Sequence, residues 1–269
     1  MTWLLGLVVC CAVLLAIAAL VIGQSQRSNS DASSEIATAA NCQREPAPSV
    51  DLRGCDLKDR SFVEANLAYA NLEKADLRGV DLSGADLSGA DLSSAKMAEA
   101  DLTGAQLVDT DFTGADLESA DLTEANAEDA DFEAADLARS VLDRANLEHA
   151  DLKANLEFAS LIGANIEGAQ LDGANLRQAN LAFVSLVGAD LSESDLTSAD
   201  LTWAKISGVN LTSAIVRFAN VSFADLSYSN LSQTDLSYAD INRAIFTGTM
   251  WFETTCPNGT FQEGATPCA

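Results

Sequence analysis

The chain has 269 residues, 40 acidic against 15 basic, and a formal net charge of −25. Only one histidine is present, and no glycine-rich phosphate loop, CxxC pair or HExxH motif occurs. This excludes a basic nucleic-acid-binding surface and leaves no constellation for nucleophilic or metal catalysis, so no enzyme and no cofactor are expected.

The first element in chain order is apolar. Residues 3–22, WLLGLVVCCAVLLAIAALVI, carry no charge and have the length that spans a bilayer. They are expected to form a transmembrane anchor (1–22); an uncleaved or cleaved signal is the competing reading, which lacks a basic leading region. Cys10 and Cys11 read as small membrane residues. Residues 23–49 read as a polar linker running into an N-terminal cap. Arg27 just after the apolar run points to a cytoplasmic location for the repeat region. The cysteines point the other way.

From Leu52 the sequence repeats in fives, as in DLSGADLSGADLSSA (81–95). A large apolar residue recurs at every fifth position to Leu152, skips one residue within DLKANLEFA (151–159), and resumes from Leu156 to Phe246. A small residue, mostly alanine, stands two positions earlier, with Arg60 the one charged exception. Leucines five apart would smear around a helix, and on a long strand they would alternate sides. The pattern works only if the chain turns a corner once per unit, with leucine and alanine inward.

ADLSG (85–89), ANLAY (65–69) and ADLTW (199–203) match the motif A(D/N)LXX, so the region resembles the pentapeptide-repeat family. The resemblance implies an all-β fold, a right-handed quadrilateral β-helix of four units, or 20 residues, per coil. Residues 50–248 would then make about ten coils, a rod of roughly 48 Å at the sheet spacing.

With a 20-residue coil, side chains 20 apart form ladders. Asp91, Asp111, Asp131 and Asp151 share one column, and Asp81, Asp101 and Asp121 another. The slot they occupy holds 13 Asp and 4 Asn in the first 21 units but 6 Asp and 7 Asn in the last 19. Asparagine serves it, so the corner does not require the charge. General solubility, weak divalent-cation binding and imitation of DNA are the open roles. Residues 50–269 carry 37 acidic and 13 basic side chains, roughly one net charge per 2 Å of rod against about 1.7 Å in B-DNA. By resemblance to gyrase-protecting relatives, an inhibitor or protector of a type II topoisomerase is the competing function; no nucleic-acid partner is expected.

Farther on, aromatics appear at the second turn position of the unit. Phe183, Trp203 and Phe223 make one column, Phe218 and Tyr238 a shorter one, with Phe158, Ile215 and Tyr228 in the same half. They are expected outward, either as a contact for a protein partner, a homodimer included, or as stacking that only stabilises neighbouring coils. His149 falls on the same turn position and reads as a solvated residue.

Residues 249–269 read as a C-terminal cap, with Trp251, Phe252 and Phe261 available to cover the last coil. Cys42 with Cys55 and Cys256 with Cys268 stand at the two solenoid ends, where a disulfide would staple each cap; the alternative is four unpaired small residues. Disulfides place the solenoid outside the cytoplasm, periplasmic or at the cell surface. The expectation is thus a membrane-anchored scaffold or protein-binding surface, with a structural spacer as the plainer alternative.

Overall fold

A computed structural model describes residues 42–262 and 268. The chain divides into two compact units, Met1–Arg44 and Glu45–Ala269, and the described residues lie almost wholly in the second. The apolar run 3–22 lies outside the described residues. Among the described residues no helix is long and apolar enough to cross a membrane.

The second unit is a β-solenoid. Each five-residue unit contributes one bridging residue, the Asp/Asn slot, and then turns. Parallel bridges join residues 20 apart, and four columns result. We number the faces by their first members: face 1 from Asp51, face 2 from Asp56, face 3 from Ser61 and face 4 from Asn66. The corner after each face takes the same number. Among the described residues, regular strands longer than one residue are confined to a terminal antiparallel pair, β1 (Thr254–Thr255) and β2 (Phe261–Gln262).

The backbone groups are bonded between coils and within turns. The N–H of Leu82 donates to the Asp101 carbonyl of the next coil at 2.7 Å, and that of Ala85 to Leu82 at 3.0 Å across its own turn. The leucine positions from Leu52 to Leu236 are at most 5% exposed, and the alanines beside them are buried almost as fully, except the half-buried Ala65. Phe112 and Phe132 stack within this core, ring centroids 4.8 Å apart.

The missing residue is absorbed at a single corner. Bridges crossing it, such as Val141↔Ser160 and Asp151↔Gln170, join residues 19 apart, and 20-residue spacing returns at Asn155↔Asn175. There the N–H of Ala154 reaches the Leu152 carbonyl at 2.7 Å, one residue nearer than in the other turns. All four columns continue through it, so the shortened corner leaves the inward and outward assignment intact.

At the far end Ile241 and Phe246 are only half-buried. Trp251 is 1% exposed and packs against Phe246 at 4.9 Å, so it covers the last coil. Phe252 and Phe261 do not; they are 51% and 58% exposed. Cys256 and Cys268 form a disulfide with Cα atoms 5.4 Å apart, tying Cys268 to the cap. Cys42 and Cys55 are also both disulfide-bonded.

Candidate functional site

The second turn position dictates the site. Its backbone is left-handed at every corner except the shortened one at Lys153–Ala154, with φ of 52–62° at the non-glycine residues of the repeat. Glycine takes this conformation freely, while a side chain there costs about 1 kcal/mol or more. Glycines occupy it in both halves, Gly79, Gly84, Gly89 and Gly104 in the first and Gly163, Gly188 and Gly208 among those in the second. In the second half it carries Phe158, Phe183, Trp203, Phe218, Phe223, Tyr228 and Tyr238. Bulky rings stand where the local backbone favours none.

Column membership follows from the bridges. Phe158, Phe218 and Tyr238 stand at corner 2, and Phe183, Trp203 and Phe223 at corner 3. These corners bound the same face, face 3. The sequence shows two aromatic columns; the structure shows that they border one strip of surface, whose floor in this half is Asn180, Asp200, Asn220 and Asp240. Recognising this needs the order of the four faces around the coil, which no single column reveals.

The rings lean toward the following coil. Trp203 stacks on Phe223 with centroids 4.4 Å apart, and Phe218 on Tyr238 at 5.0 Å. Arg243 lies over the Phe223 ring at 5.3 Å, and Arg217 beside Phe218 at 5.7 Å. Phe183, Trp203, Phe218 and Tyr238 remain more than half exposed, Phe223 less so. Aromatic rings with arginine over them are the composition of a protein interface core. Ile215 stands apart, in the face 2 column, and Tyr228 at corner 4.

The acidic columns have a local explanation. Each carboxylate accepts the backbone N–H two residues on: Asp81 from Ser83 at 3.1 Å, Asp91 from Ser93 at 3.0 Å, and Asp101 from Thr103 at 2.9 Å. Asp111, Asp121, Asp131 and Asp151 repeat it at 2.8, 2.9, 2.8 and 3.1 Å. Asn180 and Asn220 make the same bond at 3.1 Å each. The slot therefore needs an acceptor, and asparagine supplies one without the charge.

Among the described residues one cluster brings carboxylate oxygens within 4.8 Å of one another, Asp131, Glu133 and Asp151. Lys153 already pairs with Asp151 at 2.6 Å. His149 lies exposed at corner 4, 3.8 Å from Asp129, with its ring over Gly168. No nucleophile joins it.

The pentapeptide repeats model matches the chain in eight copies, over residues 49–84, 85–123, 115–153, 152–178, 174–212 and 217–249. A search of the curated proteins finds no match. Among solved structures, the chain is similar to HetL, a pentapeptide repeat protein involved in heterocyst differentiation regulation from the cyanobacterium Nostoc sp. strain PCC 7120. It is 29% identical over 85% of this chain and 98% of that one, with a TM-score of 0.41. A pentapeptide repeat protein of the Arabidopsis thaliana thylakoid lumen is 31% identical over 46% of this chain and 66% of its own, with a TM-score of 0.25. QnrB1, a plasmid-mediated fluoroquinolone resistance protein, is 20% identical over 70% and 91%, with a TM-score of 0.34. These global scores are low, so the assignment rests on the repeat itself. On that ground the chain belongs to the pentapeptide repeat family.

Proposed function

We propose that this chain is a non-catalytic, membrane-anchored protein whose solenoid binds a protein partner along face 3, outside the cytoplasm. One observation carries the reading. Aromatic side chains occupy left-handed corner positions on both borders of one face, where glycine would be locally more stable. Stacking between neighbours offsets part of that cost, but the rings stay exposed. The cap disulfide supports an oxidising compartment, and residues 3–22 would supply the anchor.

The test is replacement of Phe183, Trp203 and Phe223 by Ser. Partner binding, followed by site-specific cross-linking from face 3, is expected to fall at least tenfold while the solenoid keeps its circular dichroism spectrum. Unchanged cross-linking with only a lower melting temperature would mean that the rings serve coil stacking alone.

The Asp81–Asp101–Asp121 column, which has no basic partner among the described residues, supports a second reading as a mimic of DNA aimed at a type II topoisomerase. A supercoiling assay with micromolar protein decides it, since absence of inhibition removes that reading.

A further inference from the structure

Face 3 is two-part. Ten residues line its column, from Ser61 to Asp240, so the midpoint falls between Val141 and Ser160. A second copy laid antiparallel on this face, related by a dyad through that midpoint, brings corner 3 against corner 3 and corner 2 against corner 2 in reverse order.

The reversal matches size against space. Along corner 3, Trp203 meets Gly104, Phe223 meets Gly84, and Arg243 meets Glu64; along corner 2, Phe218 meets Gly79. A side chain built at Gly104 would find nothing within 4 Å. Around Gly79 lies a surface hollow of about 270 Å³, lined by Lys58, Asp59, Arg78, Ala98 and Glu99. Of its cations, Arg78 is paired with Asp76 and Lys58 with Asp56 and Asp76. Arg243 has no carboxylate partner of its own among the described residues and lies over the Phe223 ring. Gly104 is the open one of the three: a side chain at Gly84 would meet Glu64 at 3.4 Å and one at Gly79 the Asp59 carboxylate at 2.9 Å, while at corner 4 Gly89 and Gly248 are covered by Tyr69 and Tyr228.

We infer that the partner of face 3 is a second copy of this chain, docked antiparallel so that the aromatic half of each copy seats in the glycine half of the other. The inference rests on the interface reading above and gives it an occupant. The contact is isologous, so each pairing occurs twice. A strip about 48 Å long and at most about 16 Å wide offers roughly 700 Å² per copy, near the size of a stable interface. Screening limits the repulsion between two acidic copies to charges within about 8 Å at physiological salt. The unfavourable juxtapositions are Asp101 against Asp200, Asp59 against the Tyr238 ring, and Glu124, which Arg144 partly neutralises, against the Phe183 ring.

The experiment is sedimentation equilibrium of the full chain in density-matched detergent, from 1 to 100 µM. The wild type is expected as a dimer. Gly104→Trp fills the recess at a corner whose backbone already carries Trp203 at φ 62°; it should stay folded by circular dichroism and become monomeric. Glu64→Arg and Arg243→Glu should each weaken the dimer about tenfold or more, and the double exchange should restore it. Asp101→Asn should tighten it. A monomer at 100 µM overturns the inference, as does a dimer indifferent to Gly104→Trp and to the exchange. If a monomeric chain still cross-links to another protein from face 3, the occupant fails and the interface reading survives; if neither dimer nor adduct forms, both fail.

Discussion

At the scale of the residue, the repeat separates what a position needs from what it tolerates. The bridging slot needs an acceptor for the N–H two residues on, and carboxylate and amide both supply it. Asp91→Asn should therefore leave stability within about 0.5 kcal/mol, whereas Asp91→Ala loses the acceptor for both the N–H and the hydroxyl of Ser93. That loss should cost about 1–2 kcal/mol in urea unfolding. A carboxylate gains more where arginine joins it. The Arg78 guanidinium hydrogen-bonds Asp76 at 2.7 and 2.8 Å and, against partial desolvation, holds its carboxyl down at about 2. Because the folded value lies below the unfolded value of about 3.9, the pair stabilises the fold above about pH 4 and fades as the pH falls through about 2. Carboxyl-carbon NMR titration should find Asp76 near 2, and Arg78→Gln should raise it toward the unfolded value; no rise would remove Arg78 as the cause. The large apolar position and its small neighbour were fully legible in the sequence. The left-handed corner was not, because Glu64, Arg139 and His149 occupy it as well as glycine and betray no preference.

At the scale of the element, the coil is the unit and its ends are its weakness. The inward ring stack of Phe112 and Phe132 fills the core of adjacent coils; Phe132→Ala should cost about 3–5 kcal/mol in denaturant unfolding. The cap is held by two devices, Trp251 beneath and the Cys256–Cys268 disulfide across. Closing a loop of this length removes about 3 kcal/mol of unfolded-state entropy. Replacing both cysteines by serine should lower the melting temperature by several degrees and speed hydrogen exchange in β1 and β2 while the middle coils stay protected. Equal loss of protection throughout would show that the coils melt as one unit and the cap is not separable. The pairing at this end could be read from the position of the cysteines because an open solenoid end has to be covered. The covering side chain follows from the same count carried one unit further: Trp251 stands five residues after Phe246, the Asn230↔Met250 bridge continues the ladder there, and Phe252 falls on the turn. The skipped residue near 153 was visible as a slip in the count, but a bend and a tightened corner give the same sequence.

For the whole molecule, the two halves differ in what the corners bordering face 3 carry, Gly79, Gly84 and Gly104 with charged residues first and rings later, while the remaining glycines are spread over both halves. The aromatic columns were legible from the spacing of 20. Their placement on the two borders of face 3 was not, nor was the match of rings to glycines in reverse order, because both depend on how four columns close around the coil. Compartment belongs to this scale too. Mass spectrometry of thiols in protein isolated without reductant should find Cys42, Cys55, Cys256 and Cys268 all blocked; four free thiols would return the solenoid to the cytoplasm and revive the DNA-mimic reading.

The central claim is that face 3 is the binding surface, and photo-cross-linking tests it most directly. A benzophenone side chain is placed singly at Trp203 and Phe218, and for comparison at Ser93 and Gly173 on corner 1, in the full chain in the cells that make it. Adducts of defined mass from positions 203 and 218, and none from 93 and 173, are the predicted result. Equal yields from all four positions, or none from any, would contradict it.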